Sequence, residues 1–436
     1  RRGHRGRRAG TVSLIRLLYS LLFHLAMPLV WMRLLWRSRR QPEYLRHVGE
    51  RHGFYPPPPA RPLIWLHAVS VGETRAAEPL IDLLLQRHPE HHVLLTHMTP
   101  TGRATGRELV HRYPDRLTQA YLPYDLPATC GRFLDHYRPR IGLLMETEIW
   151  PNLIAAAGRR GIPMALVNAR LSPRSQRGYA RLSGLTRPAI AALGAIAAQT
   201  AADAARLQAV GARQTIVCGN LKFDVTPPPA KLSLGAHWRQ ALGSRPVWLA
   251  ASTREGEETL LLDAFARLPH RHLLLLVPRH PQRFAEVAEL IASRQLACCR
   301  RSCGELPDEE TRVWLGDSMG EMPAYYALAD LALIGGTLLP FGGQNLIEAA
   351  ACGCPVLLGP HTFNFAQASA DAIACGAGRR IADADDAVAV AAELLQQPLL
   401  LARMRAAASS FSQAHRGATE RTAALIESLM APRAAG

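Results

Sequence analysis

The chain alternates between short runs that are apolar at nearly every position and longer stretches with helical spacing. Runs at 63–68, 92–96, 141–146 and 164–168 predict buried strands. Helical periodicity fills 76–87, and Thr99-Pro100-Thr101-Gly102 opens a further helix. A second series of strands follows at 247–251, 272–277, 313–316, 331–334 and 356–358. Strands apolar on both faces, alternating with helices of about 10–15 residues, predict parallel, doubly wound α/β sheets. Prolines punctuate the pattern: YPPPPAR at 55–61 is a stiff edge, and TPPPAK at 226–231 lies between the two series. The expected organisation is a basic leader with an N-terminal anchor helix over 1–50, a Rossmann-like domain over 51–225, a linker over 226–235 and a second Rossmann-like domain over 236–436. The alanine-rich stretch 384–430 is expected to supply closing helices of that second domain. Open parallel sheets bind ligands at the carboxyl ends of their strands, so the reaction is expected in a cleft that the two domains face.

Residues 12–36 form an apolar segment interrupted by Arg16, His24, Pro28 and Arg33. Its most apolar part, 17–32, is about 16 residues or roughly 24 Å as a helix, short of the ~20 residues of a span. Arg33, Arg37, Arg39 and Arg40 follow directly and no small-residue cleavage site does, which argues against a cleaved signal peptide. A proline-kinked span and a helix lying in one leaflet remain, and the second fits the length and basic flank better. Either way the basic flank places the following domain in the cytoplasm.

Net charge is +16, and the first 50 residues, with 11 Lys/Arg against 2 Asp/Glu, hold +9 of it. No zinc spacing, RNP-like aromatic pattern or basic recognition helix accompanies this charge, so it points to anionic lipid headgroups and not to nucleic acid. The leader 1–10 is expected to be disordered, and an arginine at position 1 leaves the true start open. Eight scattered cysteines without ligand spacing read as core or idle thiols of a reducing compartment.

The stretch 332–360, ALIGGTLLPFGGQNLIEAAACGCPVLLGP, combines a strand, a glycine-rich loop at 335–343, a helix at 344–351 and a second strand at 354–358. A glycine loop beside a helix N-terminus suits a phosphate, and Glu348 is placed to accept from ribose hydroxyls. The spacing is not G-x-G-x-x-G, so a mononucleotide fits better than a dinucleotide. A tight turn in an ordinary sheet is the alternative. The loop 316–322, GDSMGEM, follows a strand and opens a helix, giving a second nucleotide-facing loop.

In the first domain Glu73 follows a strand and a turn glycine and precedes a helix. It is either a base for a substrate hydroxyl or a helix-cap acid. Glu146 and Glu148 end another strand; one is free to line the cleft and the other to pair with an arginine, and sequence leaves open which. Arg170, Arg174, Lys222, Arg254 and Arg279 each follow an apparent strand. Alone each reads as a surface charge, and together they read as anion contacts. His67, His97, His280 and His361 show no metal spacing and receive no ligand role.

Taken together, HAVSVGE (67–73), METEIWPN (145–152), VNARLSPRS (167–175), GNLKFD (219–224), VPRHPQR (277–283), GDSMGEM (316–322) and GGQNLIEAAACGCPV (342–356) resemble the 3-deoxy-D-manno-octulosonic acid (Kdo) transferases of lipopolysaccharide synthesis. The resemblance runs in order from about residue 14 to the C-terminus. It implies the GT-B fold with an N-terminal membrane-associated helix, CMP-Kdo as donor, the lipid A precursor lipid IVA as acceptor, and inverting transfer on the cytoplasmic face of the inner membrane without a metal ion. It implies Glu73 as general base, Glu148 as the acid that supports the transition state, and Lys222 as a basic catalytic partner. Its CMP contacts fall on Pro278 and Arg279, on Met319, Gly320 and Glu321, and on Asn345, Leu346, Ile347 and Glu348. No cofactor is implied. The competing functions are a UDP-sugar transferase or epimerase sharing only the C-terminal loop, and a non-catalytic basic binder; the +7 spread over the last 386 residues disfavours the binder.

Overall fold

The computed structural model describes residues 14–39, 41–224, 226–268 and 272–431. Two compact units compose the chain, Arg1–Asp224 with Gly417–Gly436, and Val225–Arg416. The leader expected at 1–10 lies outside the described residues.

The first unit is a seven-stranded parallel sheet of β1 (Leu63–His67), β2 (His92–His97), β3 (Leu117–Tyr121), β4 (Ile141–Met145), β5 (Met164–Ala169), β6 (Ala195–Ala198) and β7 (Thr215–Val217), in the order β3-β2-β1-β4-β5-β6-β7. Alternate side chains enter two cores: Trp65, Leu94, Leu144 and Leu166 on one face, Ile64, Leu66, Leu95, Leu143 and Val167 on the other. Each such side chain contributes about 1.5–3 kcal/mol by leaving water, which is why these strands are apolar throughout. The order reverses direction between β1 and β4, so the connections after these strands diverge and leave a crevice at their carboxyl ends.

The second unit repeats the plan with β8 (Val247–Thr253), β9 (Leu273–Pro278), β10 (Cys298–Arg300), β11 (Val313–Leu315), β12 (Leu331–Ile334), β13 (Val356–Leu358) and β14 (Gly378–Arg380). Their order is β10-β11-β9-β8-β12-β13-β14, all parallel, with the reversal between β8 and β12. At that crossing a Cβ on Gly335 would meet the Ser252 carbonyl oxygen at 2.3 Å, so glycine is required there.

Three boundaries differ from those the sequence suggests. The helix Pro229–Leu242 begins inside the expected linker, because proline is well accommodated in a first helical turn. The helices Ala384–Leu395 and Pro398–His415 stay with the second unit, but Ala418–Met430 returns to the first. Ala418, Ala423, Leu425 and Ile426 of that helix complete one of the first unit's cores, and Asp224 accepts the backbone N–H groups of Gly417 (2.6 Å) and Thr419 at its start. Finally, the N-terminal helix runs unbroken through Pro28 over Leu14–Ser38, 25 residues, and is long and apolar enough to cross a membrane.

Candidate active site

In the first unit the site is built on the crevice between β1 and β4. After β1 the chain turns into the helix Val71–Arg87, whose N-cap is Ser70. Glu73 is the third residue of that helix and closes a capping box: the Glu73 N–H donates to Ser70 Oγ at 3.4 Å, and Ser70 Oγ–H donates to Glu73 Oε1 at 3.1 Å. The Val69 N–H donates to Glu73 Oε2 at 2.8 Å. The carboxylate therefore caps the helix and also stands half-buried in the crevice, each oxygen keeping a lone pair for a ligand. Burial pushes its pKa up and the nearby Glu146 adds to this, opposed by the Val69 amide, Ser70 and Lys222.

After β4 the two glutamates that sequence leaves undivided separate into different roles. Glu146, buried and in the left-handed region at φ 55°, accepts from Arg170 Nε at 2.8 Å and from Lys222 Nζ at 3.2 Å. Glu148 accepts only from Trp150 Nε1, at 2.9 Å, among the described hydrogen bonds. Burial, then the Glu73 charge, raises its pKa to about 7, with Trp150 opposing. Lys222 is held in place by its loop: the Leu221 N–H donates to Asn168 Oδ1 at 3.0 Å, and the Lys222 N–H to Asn220 Oδ1 at 3.0 Å. Asn168 also has a positive φ, 52°, which turns its side chain to the next loop. The result is two half-buried carboxyls with raised pKa beside an ion-paired lysine. Such a set can take a proton from a hydroxyl and meet a substrate anion.

The raised Glu148 pKa has a consequence for stability. Between about pH 4.5 and pH 7 the native state keeps a proton that the unfolded chain has released, so this group's contribution is full below that window and lost as pH rises through it. Glu148→Gln is expected to flatten the fall of Tm from pH 5 to pH 8 and to raise Tm at pH 8 by a few degrees. Unchanged pH dependence in a thermal-shift series would contradict the assignment.

In the second unit a cavity of about 330 Å³ lies at the carboxyl ends of β8 and β9, and Pro278, Arg279, Met319, Gly320 and Glu348 all line it, with Ser252. Gly320 has φ 73°, a conformation glycine adopts without strain, and lets the loop fold back over the cavity. Glu321, Asn345, Leu346 and Ile347 are outside the lining. Glu321 accepts from Ser318 Oγ at 2.6 Å and pairs with Arg301 at 3.0 Å, bracing the loop from behind. Asn345 caps the helix Leu346–Ala351 through the Ile347 N–H at 3.1 Å and donates to Glu348 Oε1 at 3.2 Å, while Leu346 and Ile347 are buried.

The glycine loop after β12 differs from expectation. Two of its amides, Gly336 (2.7 Å) and Leu338 (3.0 Å), donate to Glu257, a buried carboxylate that also accepts from the Arg254 N–H (2.9 Å). The flanking helices, Met322–Leu328 and Leu346–Ala351, are only seven and six residues long. Arg279 is the cationic side chain in the cavity lining, and these helices are too short to carry much of a dipole.

The remaining candidates disperse. Arg254 lies over the Phe341 ring at 4.7 Å, and Arg174 is exposed on the helix Pro173–Arg181. His67 and His97 are buried in the sheet, their pKa values pushed down by burial to about 3 and about 4. All eight cysteines are free. A larger hollow of about 540 Å³, bordered by His47, Arg61, Arg103 and Tyr137, contains none of the expected site residues. Two neighbours of these residues were not legible in sequence, and a third only faintly. Asn168 and Glu257 act across strands, and Ser70 was signalled only by its S-x-x-E spacing.

Comparison with known proteins shows the family and the fold. Residues 46–225 match the family model described as 3-deoxy-D-manno-octulosonic-acid transferase (kdotransferase). A 3-deoxy-D-manno-octulosonic acid transferase of Bordetella pertussis is 47% identical over 426 residues, 94% of this chain and 98% of the relative. Its counterpart in Haemophilus influenzae is 38% identical over 80% of this chain and 83% of its own. The crystal structure of a glycosyltransferase from Rickettsia africae aligns with 85% of this chain and 99% of its own at TM-score 0.55 and 13% identity, a likeness of fold alone. Two parallel seven-stranded sheets with such neighbours are a GT-B fold.

Proposed function

The chain belongs to the 3-deoxy-D-manno-octulosonic acid transferases, and from this premise we propose that it transfers Kdo from CMP-Kdo to lipid IVA in lipopolysaccharide synthesis. The observation that carries the catalytic reading is the group of Glu73, Glu148 and Lys222 at the β1–β4 crevice, with both carboxyl pKa values raised. Glu73 takes the proton of the acceptor hydroxyl, whose oxygen forms a bond to the anomeric carbon of Kdo as the bond from that carbon to the CMP phosphate oxygen breaks. Attack opposite the leaving group inverts that centre. Lys222, steered by Glu146, pairs with the carboxylate that Kdo itself carries. Glu148, close to half-protonated at neutral pH, supports the oxocarbenium-like centre.

The donor nucleotide belongs in the cavity lined by Pro278, Arg279, Met319, Gly320 and Glu348. Arg279 meets the departing phosphate there, so the reading asks for no metal ion at the reacting centre, and chelation is expected to leave initial rates unchanged. Glu348 takes the ribose hydroxyls, while Asn345, Leu346, Ile347 and Glu321 set the walls behind. Incubation of the purified chain with a CMP-Kdo generating system and lipid IVA, followed by mass spectrometry, tests the whole. Mass gain with UDP-sugars and none with CMP-Kdo would overturn the donor.

The N-terminal helix supports a leaflet anchor on the cytoplasmic face of the inner membrane. One flank is fixed to the first unit: Tyr19 Oη donates to Asp125 at 3.1 Å, Asn152 donates to Ser20 Oγ at 3.0 Å, and Trp31 stacks on His52 at 5.5 Å. The other flank exposes Leu18, Leu21, Leu22, Leu25, Leu29 and Met32. A helix docked along its length and apolar outward is suited to lie in a leaflet, with Arg33, Arg37 and Arg39 beside anionic headgroups. The triple replacement of Leu21, Leu25 and Leu29 by Asp is expected to abolish flotation with phosphatidylglycerol vesicles while CMP binding persists. Full flotation would refute the anchor.

A further inference from the structure

The turn between the helix Val71–Arg87 and β2 reads His88-Pro89-Glu90-His91. It lies at the amino end of β2, whereas the carboxylates described above follow the carboxyl ends of β1 and β4, so the proposed chemistry does not use it. A 3.0 Å bond from the His91 N–H to the His88 carbonyl, with proline second, makes it a tight turn. Arg116 pins its backbone by donating to the carbonyls of Leu85 (3.1 Å), His88 (2.9 Å) and His91 (3.0 Å). The turn is thereby prepared to present three side chains together. His91 Nδ1 lies 2.6 Å, and His88 Nδ1 3.8 Å, from the same oxygen of Glu90.

The imidazoles are mostly shielded, at 12% and 19% side-chain exposure, while Glu90 opens to water at 59%. His88 Nε2 is out of solvent and makes no hydrogen bond. It lies 3.6 Å from Glu427 Oε1 on the returning helix Ala418–Met430, and Arg87 approaches the same oxygen at 3.4 Å.

We propose that His88, Glu90 and His91 bind a zinc-type divalent cation, and that the bound ion fastens the helix Ala418–Met430 to the turn through Glu427. Two imidazole nitrogens and one carboxylate oxygen form a donor set that zinc accepts, with water completing four-coordination. Bonds of about 2.0–2.1 Å in a tetrahedron separate ligand atoms by roughly 3.3 Å. The 2.6 and 3.8 Å separations from Glu90 bracket that value, and all three ligand atoms lie within 4.8 Å of one another. An ion on His88 Nδ1 leaves Nε2–H as a donor directed at Glu427, the carboxylate partner that metal-bound histidines use to fix their tautomer. This accounts for a buried ring nitrogen that otherwise makes no hydrogen bond.

The test uses the full-length chain in detergent, stripped of metal, and reads no activity. Titration with Zn²⁺, and with Co²⁺ as a coloured reporter, is expected to saturate at about one ion per chain. The visible bands of four-coordinate cobalt should appear, and Tm should rise with free Zn²⁺. The double variant His88→Ala/His91→Ala is expected to lose saturable binding. Glu90→Gln, isosteric and on an exposed residue, tests the same site without risk to folding and should bind at least about tenfold more weakly. Glu427→Gln is expected to weaken binding by about 10–100-fold, and Zn²⁺ should slow amide exchange over 418–430 in the parent chain only. Equal binding by the parent and the double variant, an undiminished Glu90→Gln, or no saturation at all would overturn the site. Unchanged affinity in Glu427→Gln would overturn the link to the helix.

Discussion

Glu73→Gln is expected to lower kcat by about 10³-fold, with the circular dichroism spectrum and CMP affinity unchanged. Glutamine keeps the shape of the side chain and one oxygen for the Val69 N–H or the Ser70 hydroxyl. Losing the capping box in part costs on the order of 0.5–1 kcal/mol, too little to unfold the unit. What glutamine cannot do is accept a proton from the acceptor hydroxyl. Because burial pushes the Glu73 pKa up, the parent rate should fall on the acid side at a pH above the ordinary carboxylate range, since the base must be deprotonated. Turnover by the glutamine variant within tenfold of the parent (an arbitrary but generous limit) would remove Glu73 from the reaction.

Glu257→Ala is expected to have the largest effect on stability, about 3 kcal/mol or more, confined to the second unit. The carboxylate is 1% exposed and accepts the N–H groups of Gly336, Leu338 and Arg254. Removing it strands these buried donors, each at about 1–3 kcal/mol. Glu257→Gln should be nearly as damaging, because one amide oxygen replaces two acceptors and the NH₂ faces other donors. Loss of CMP binding should follow only as the second unit unfolds, since Glu257 is outside the lining of the proposed nucleotide cavity. Urea unfolding followed by separate probes, Trp248 and Trp314 for the second unit and Trp65 for the first, resolves the two units. A second-unit midpoint equal to the parent's would show that the loop holds itself.

The two predictions divide along the line between what a sequence displays and what it hides. Glu73 stands in an S-x-x-E spacing after an apolar strand, so its position at a helix start was readable, along with most central strands. Those strands are buried on both faces, and apolar runs are the direct mark of that burial. The strands that escaped notice are β3, β6, β7, β10 and β14, which lie at or toward the sheet edges. Leu117–Tyr121 mixes polar residues because its outer side meets solvent, and Ala195–Ala198 is alanine-rich, a composition that favours helix unless neighbouring strands capture it. The inner partners of the glycine loop were hidden for a similar reason. Glycine reports that backbone comes close to something, and among the described contacts that something is Ser252 and an internal carboxylate.

By itself the sequence determined the two-sheet α/β plan, the apolar N-terminal helix and the family, because each of these is written in local spacing or in motifs kept in order. Tertiary structure alone decided that Glu146 pairs with Arg170 and Lys222 while Glu148 is left to titrate near neutrality, that Glu257 occupies the loop amides, and that the last helix rejoins the first unit. The physical reason is common to all three. Charge pairing, desolvation and core completion are set by groups 24 to nearly 200 residues apart along the chain, and only folding brings those groups within reach of one another.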